Sequence, residues 1–286
     1  MSTTTANDTF RPCCLEGYID FSAQPRGKVI KVGNVDTYFS APILSDTELV
    51  TSEGGGRVIA LLADVWGIAS PNLRIMADRY SDKGFIVYCP DLFEGSPASP
   101  SSSDALVNFS RPKQNATIFT RIYNGFAVLG SAPSLISVIS KDSAITRKTI
   151  DSFLKALQTD FDVKNVGLCG YCFGGRWSAL CAINVDSDPN SPYNIVRAIV
   201  PTHASMSNAE VAAINKPCLF VLAGDDFAPP KEADIKRANP KAKILVFPGM
   251  YHGFAIRGHP EEKDVVKARD DAITATIKHF IEHIPV

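Results

Sequence analysis

Val166-Gly167-Leu168-Cys169-Gly170-Tyr171-Cys172-Phe173-Gly174-Gly175 is an apolar run that ends in a glycine-rich turn. Arg176-Trp177-Ser178-Ala179-Leu180-Cys181-Ala182 follows it with helical character. Inside the run, Gly170-Tyr171-Cys172-Phe173-Gly174 has the form Gly-x-nucleophile-x-Gly, with cysteine where serine is more usual. A strand that turns this sharply into a helix holds its nucleophile on strained backbone, and the chain passes close to itself on both sides. Glycine two residues before and two residues after supplies the missing Cβ volume. The turn sets the Cys172 sulfur at a helix N-terminus, where partial positive charge favours thiolate over thiol. Two other readings fit the same residues. Cys172 can be a buried cysteine in an ordinary Gly-rich turn, and Cys169-Gly170-Tyr171-Cys172 is also a C-x-x-C of the kind used in dithiol redox sites.

Working outward, strands and helices alternate. Lys28–Val32 and Thr37–Ser40 flank Gly33-Asn34 as a β-hairpin. Ser52-Glu53-Gly54-Gly55-Gly56 reads as a loop, because no phosphate-binding glycine spacing follows it. Val58–Ala63 is continuously apolar, the mark of a strand buried on both faces. A helix over 72–83, strand Phe85–Cys89, helices over 114–129 and 144–158, and strand Val163–Cys169 lead to the turn. After it come strand Ile195–Val200, a short helix over 208–214, strand Cys218–Ala223, a helix over 230–238, strand Lys243–Phe247 and a final helix over 262–281. The alternation predicts an α/β fold with a mostly parallel sheet and helices on both faces. Residues 1–26 read as a leader wrapping a single domain over 27–286.

Composition narrows the function classes. The chain has 286 residues, 45% hydrophobic and 21% charged, with a formal net charge of −1, so neither nucleic acid nor an anionic membrane is expected as a partner. No apolar run approaches the roughly 20 residues of a membrane span, and the polar Met1–Asp8 lacks the form of a signal peptide. Seven cysteines, several inside apolar runs, fit a reducing, cytoplasmic setting better than a disulfide framework. The five histidines show no zinc-type spacing, so no metal is expected.

In a parallel sheet, ligands bind at the carboxyl ends of the strands. Cys172 lies there, and so do Asp225-Asp226 after strand Cys218–Ala223 and His252 after strand Lys243–Phe247. Nucleophile, acid and base therefore occur in the order used by the α/β-hydrolase fold. The roles follow from acid–base chemistry: Cys172 attacks, His252 takes and returns the proton, and an aspartate fixes the imidazole tautomer. The oxyanion donors are expected to be the N–H of Phe173 and one in the loop Asp64-Val65-Trp66-Gly67, assigned to Val65. His203 also follows a strand end and is expected to line the pocket; as the base it would break the order. Trp66 and Tyr171 either wall the pocket or pack in the core.

Gly170–Gly175, Asp64-Val65-Trp66-Gly67, Cys89-Pro90-Asp91-Leu92-Phe93 and His252-Gly253-Phe254-Ala255 together resemble the dienelactone hydrolase (carboxymethylenebutenolidase) family, from about residue 28 onward. The leader with Cys13-Cys14 is similar to that of the eukaryotic, fungal-type branch. The resemblance implies an α/β-hydrolase fold and a cysteine hydrolase of small esters or lactones, acting without metal or cofactor; monomer and homodimer both stay open. The family's Gly-x-Asp spacing favours Asp226 over Asp225. An acidic residue at the position of Asp64, often glutamate, tunes the cysteine's protonation in the family. Family arginines hold the substrate carboxylate; Arg257 is the candidate here, and Arg111 and Arg121 lie in the region of a second. The alternatives are a surface charge for Arg257 and a turn acceptor for Asp64. Two rival functions stand beside the hydrolase: a redox protein using Cys169 and Cys172, and a small-molecule-binding relative without turnover.

Overall fold

Strands that are apolar on both faces need helices on both sides, and the chain supplies them. The computed structural model of the protein describes residues 18–20, 22–97, 143–183, 190–224 and 230–286. Among the described residues, eight strands form one sheet: β1 (Lys28–Val32), β2 (Val35–Ser40), β3 (Val58–Leu62), β4 (Ile86–Pro90), β5 (Val166–Tyr171), β6 (Val196–Thr202), β7 (Leu219–Ala223) and β8 (Lys243–Phe247). Their order is β1-β2-β4-β3-β5-β6-β7-β8. Only β1–β2 and β2–β4 are antiparallel pairs; from β4 to β8 every neighbouring pair is parallel.

The helices are α1 (Asp46–Thr51), α2 (Pro71–Ser81), α3 (Ser143–Thr159), α4 (Phe173–Leu180), α5 (Asn208–Ala213), α6 (Glu232–Ala238), α7 (Phe254–Arg257) and α8 (Lys263–His283). In α3 the buried positions Thr146, Thr149, Ile150, Phe153, Leu154 and Leu157 recur at helical spacing. β3 is deeply buried, with Ile59, Ala60, Leu61 and Leu62 at most 1% exposed. It lies beside β5, in register Leu62 to Gly170, so the core is centred directly beneath the turn that carries Cys172. None of the described helices is long and apolar enough to cross a membrane.

Several boundaries differ from the sequence reading. β5 starts at Val166 and runs to Tyr171, rather than spanning 163–169, so Cys172 is the first residue off the strand. β6 continues through Pro201 to Thr202, although a proline normally ends a strand. Ile199 N–H donates to Pro217 O (2.9 Å) and His203 N–H to Val221 O (2.8 Å), so Pro201 occupies the β7-facing position between them, where its missing N–H interrupts only that ladder. Two short helices escaped the sequence reading. α1 is set by the Ser45–Glu48 capping box, and α7 starts after Gly253, whose φ of 87° suits glycine. The helix expected over 114–129, the residues 1–17 of the leader, and Arg111 and Arg121 lie outside the described residues.

The described end of the leader is tied down. Tyr18 N–H donates to Arg257 O at 2.6 Å. The Asn72 side-chain amide in α2 donates to Tyr18 O and Ile256 O, while its carbonyl accepts from Asp20 N–H. Asp78 in α2 accepts from Arg26 N–H and from the hydroxyls of Tyr38 and Ser40. These contacts hold α2, β2 and α7 together at one side of the sheet.

Candidate active site

The turn after β5 has the geometry its glycines require. Cys172 adopts φ 53° and ψ −111°, a strained conformation for a residue with a side chain. A Cβ on Gly170 would overlap the Gly174 carbonyl, and one on Gly174 would overlap the Leu62 carbonyl. Gly174 N–H donates to Ala63 O at 3.0 Å, which pins the start of α4 to the end of β3. Cys172 is 5% exposed and immediately precedes α4. Phe173, as the first helical residue, has no intrahelical acceptor for its N–H. Its partner in the oxyanion expectation, Val65, is buried in the loop after β3. That loop is tightened by Gly67 N–H to Asp64 O and Trp66 N–H to Asp64 Oδ1, both at 3.1 Å.

Cys172 and His252 are joined through two consecutive residues at the end of β6. Cys172 N–H donates to Thr202 O at 3.0 Å. The next residue, His203, holds φ 39° and packs its ring 4.7 Å from the His252 ring, centroid to centroid. Both imidazoles are 1% exposed. His203 is pushed well below the usual histidine pKa, first by burial, then by the neighbouring His252 and Arg257. It stands as a neutral ring against the candidate base. Asp225 and Asp226, the candidates for the third member, lie outside the described residues, between Gly224 and Pro230.

Beneath these rings is a buried ion pair. Arg257 Nε lies 3.2 Å from Asp64 Oδ2, with both side chains at most 2% exposed. The guanidinium also sits 6.0 Å from the centroid of the Trp66 ring. Burial drives the Asp64 carboxyl above its ordinary range, opposed by Arg257, the Trp66 N–H and His252. The reading of Arg257 as a surface charge is therefore corrected: α7 turns it inward, where Asp64 compensates it. Asp64 is both a turn acceptor and an ion-pair partner. Among the described residues, the buried Trp66 indole N–H has no hydrogen-bond partner.

Cys169 and Tyr171 alternate onto the other face of β5. The Cys169 thiol shares hydrogen bonds with the hydroxyls of Tyr171, Tyr80 and Thr202, and Tyr80 reaches Thr276 in α8. Burial pushes the Cys169 thiol up to about 11. Tyr171 thus anchors a buried polar cluster with its hydroxyl, while its ring lies 6.1 Å from that of His203. Cys89, Cys169, Cys172, Cys181 and Cys218 are all free thiols. An aromatic row also escaped the sequence reading. Phe173, the residue after the nucleophile, packs on Phe93 (5.2 Å) and Trp177 (6.3 Å). The Phe173–Trp177 half was visible as an i, i+4 helical pair; Phe93 comes from the loop after β4 and is fixed there by Asp91 Oδ1 accepting its N–H.

Residues 46–284 match the model of the dienelactone hydrolase family. The chain belongs to that family. It is accordingly a carboxylic ester hydrolase, and its sheet and helices form the α/β-hydrolase fold. The hydrolase tropI of Talaromyces stipitatus is 23% identical over 278 residues, covering 95% of this chain and 96% of that protein. A carboxymethylenebutenolidase homolog of Xenopus tropicalis is 23% identical over 270 residues, covering 90% and 91%. Among solved structures, the dienelactone hydrolase of Anabaena variabilis superposes with a TM-score of 0.54 at 15% identity, over 92% of this chain and 99% of that one. A thermophilic esterase from Thermogutta terrifontis gives 0.53 at 13% identity, over 90% and 92%.

Proposed function

We propose that the chain hydrolyses small esters or lactones through an acyl-enzyme on Cys172, with His252 as base and Asp226 orienting it. The observation that carries this reading is the strained Cys172 at the start of α4, hydrogen-bonded to Thr202 while the adjacent His203 packs on His252. A cysteine held off its rotamer-friendly backbone and presented at a helix start is costly to keep unless it reacts.

The steps use only this chain's residues and water. The Cys172 thiol proton passes to His252, and the sulfur adds to the ester carbonyl carbon. Negative charge collects on the former carbonyl oxygen, where the N–H groups of Val65 and Phe173 receive it. Collapse breaks the acyl C–O bond, and the departing alkoxide takes the proton from His252. In a lactone that alkoxide stays tethered, so the acyl-enzyme carries a ring-opened hydroxy acid. Water then loses a proton to His252 as it attacks the thioester; the acid leaves and the thiol is restored. Asp226 keeps the His252 tautomer fixed throughout.

Asp64 and Arg257 support the site from below. Because Asp64 already neutralises Arg257, a substrate carboxylate reaching Arg257 would have to share it. The Trp66 indole N–H offers a donor to a substrate oxygen, and the Phe93–Phe173–Trp177 row offers an apolar surface beside the nucleophile. His203 stands against His252 as a neutral ring.

Turnover of p-nitrophenyl acetate tests the assignment. Cys172→Ala is expected to lower it roughly 10³-fold or more. Mass spectrometry of the acid-quenched wild type should find the acyl group on the peptide holding Cys172. Undiminished turnover by the alanine variant, or an acyl group on another residue, refutes the reading.

A further inference from the structure

The oxyanion hole proposed above is split between two stretches of chain. Val65 lies in the loop after β3, and Phe173 opens α4. Their backbones are linked where Gly174 N–H donates to Ala63 O at 3.0 Å. Two donors serve one oxyanion only if both reach the same oxygen, so a drift of either loop by about 1 Å unseats one of them. A third stretch touches both. Phe93, in the loop after β4, packs its ring 5.2 Å from that of Phe173, centroid to centroid. It also meets the β3 loop: a Cβ on Gly67, two residues after Val65, would lie 3.1 Å from Phe93 Cδ2 and 2.9 Å from Pro97 Cβ. Gly67 holds φ 61° and has no side chain to keep the two loops apart. Phe93 is fully buried, whereas Phe173 is partly exposed. Phe93 therefore stands behind its neighbour and acts on a substrate through it.

The loop that carries this ring is itself locked. Asp91 closes it with both carboxylate oxygens, Oδ1 accepting Phe93 N–H at 2.9 Å and Oδ2 accepting Gly95 N–H at 2.6 Å. Hydrogen bonds to an ionised acceptor are the stronger kind. Ser96 N–H donates to Phe93 O at 3.0 Å, and Asp91 N–H donates to Asp36 O at 2.8 Å, which ties the loop to β2. Glu94 and Gly95 hold φ 50° and 76°. For Glu94 that conformation costs free energy, and it persists because the bonds on either side over-determine it.

We propose that Phe93 is a positioning residue for the oxyanion hole: held by Asp91, its ring wedges between the β3 loop and the start of α4 and fixes the spacing of the Val65 and Phe173 N–H groups. This rests on the Cys172 reading above. It concerns how fast a bound ester reacts rather than how tightly it binds.

Phe93→Ala and Phe93→Leu separate the two effects. In p-nitrophenyl acetate turnover, kcat and kcat/KM should fall together, roughly 10- to 100-fold for alanine and at least about threefold for leucine, with KM within about twofold of wild type. Methyl methanethiosulfonate converts the Cys172 thiolate to a mixed disulfide and releases methanesulfinate, with no oxyanion developing at carbon. That reaction, followed on the Cys172 peptide by mass spectrometry, should keep its wild-type rate in both variants. Leucine retains much of the apolar volume, so it reports even where the alanine variant fails to fold. Wild-type kcat in the leucine variant overturns the proposal. So does a rise in KM in place of the fall in kcat, or a methylthiolation rate that falls as far as kcat does. A wild type that stays active once Cys172 is methylthiolated overturns the Cys172 reading itself, whatever the Phe93 variants do.

Discussion

Arg257→Met strands a buried carboxylate. The two side chains of the Arg257–Asp64 pair are 1% and 2% exposed, with Nε and Oδ2 3.2 Å apart. At that separation and an effective dielectric of about 20, their attraction is about 5 kcal/mol before desolvation is counted. Desolvating both ions offsets much of it, so the intact pair adds little net stability, whereas removing one partner costs about 3–5 kcal/mol. Methionine keeps an unbranched stem against Trp66, which limits the packing loss. The variant should also acquire a pH signature. Asp64 already titrates above its usual value of 3.8, and Arg257 is the strongest influence holding it down. Without Arg257 the folded pKa climbs further, so the folded state keeps a proton that the unfolded chain has released. Stability is then fullest below the unfolded pKa and falls as pH rises through the folded one. Urea denaturation at pH 5 and pH 8 measures both effects. Arg257→Met should lose about 3–5 kcal/mol at the higher pH, recover part of it at the lower, and regain most of it when Asp64→Asn is added. A loss under about 1 kcal/mol, or a double variant no more stable than the single one, would falsify the buried-pair account.

Two further outcomes follow from the same site. His203 has a folded pKa well below its ordinary 6.5, so it contributes stability present above that value and lost as pH falls below it. His203→Asn, which tolerates the positive φ, should flatten the fall in stability from pH 7 to pH 5 by up to about 1.4 kcal/mol per pH unit; unfolding curves identical in slope to wild type argue against a neutral buried ring. Cys169→Ser should leave ester turnover largely intact and cost less than about 1 kcal/mol, because the hydroxyls of Tyr80, Tyr171 and Thr202 can bond the new one. Loss of turnover in that variant, with disulfide reductase activity in the wild type, would instead favour a dithiol mechanism.

The parallel sheet and the turn at Cys172 were legible because they depend on local rules. Continuous apolar runs announce strands buried on both faces, and the glycines flanking Cys172 announce a close approach that the backbone atoms of Gly174 and Leu62 make literal. The placement of His252 after the last strand was legible for the same reason, since a strand end fixes where the next residues emerge. What the sequence withheld depends on which distant residues meet. Nothing local distinguishes Arg257 as an inward charge from Arg257 on a surface; only the turn of α7 toward Asp64, 193 positions earlier, decides it. The contact between His203 and His252 likewise requires β6 and β8 to lie on either side of β7. Pro201 misled because proline reads as a strand end, and its tolerance follows from the one ladder it interrupts.

The clasp around Asn72 has a practical side. Tyr18 and Asp20 hold the backbone of Ile256 and Arg257 through four hydrogen bonds, three of them by way of the Asn72 side chain. A fusion partner placed ahead of residue 1 leaves that clasp in place, whereas proteolytic trimming beyond Asp20 strips it from α7. Two preparations of the same hydrolase, differing only in how far a protease has nibbled the amino terminus, should therefore differ in how firmly the helix carrying Arg257 is seated. Batch-to-batch drift in specific activity would then trace to the end of the chain that lies farthest in sequence from His252.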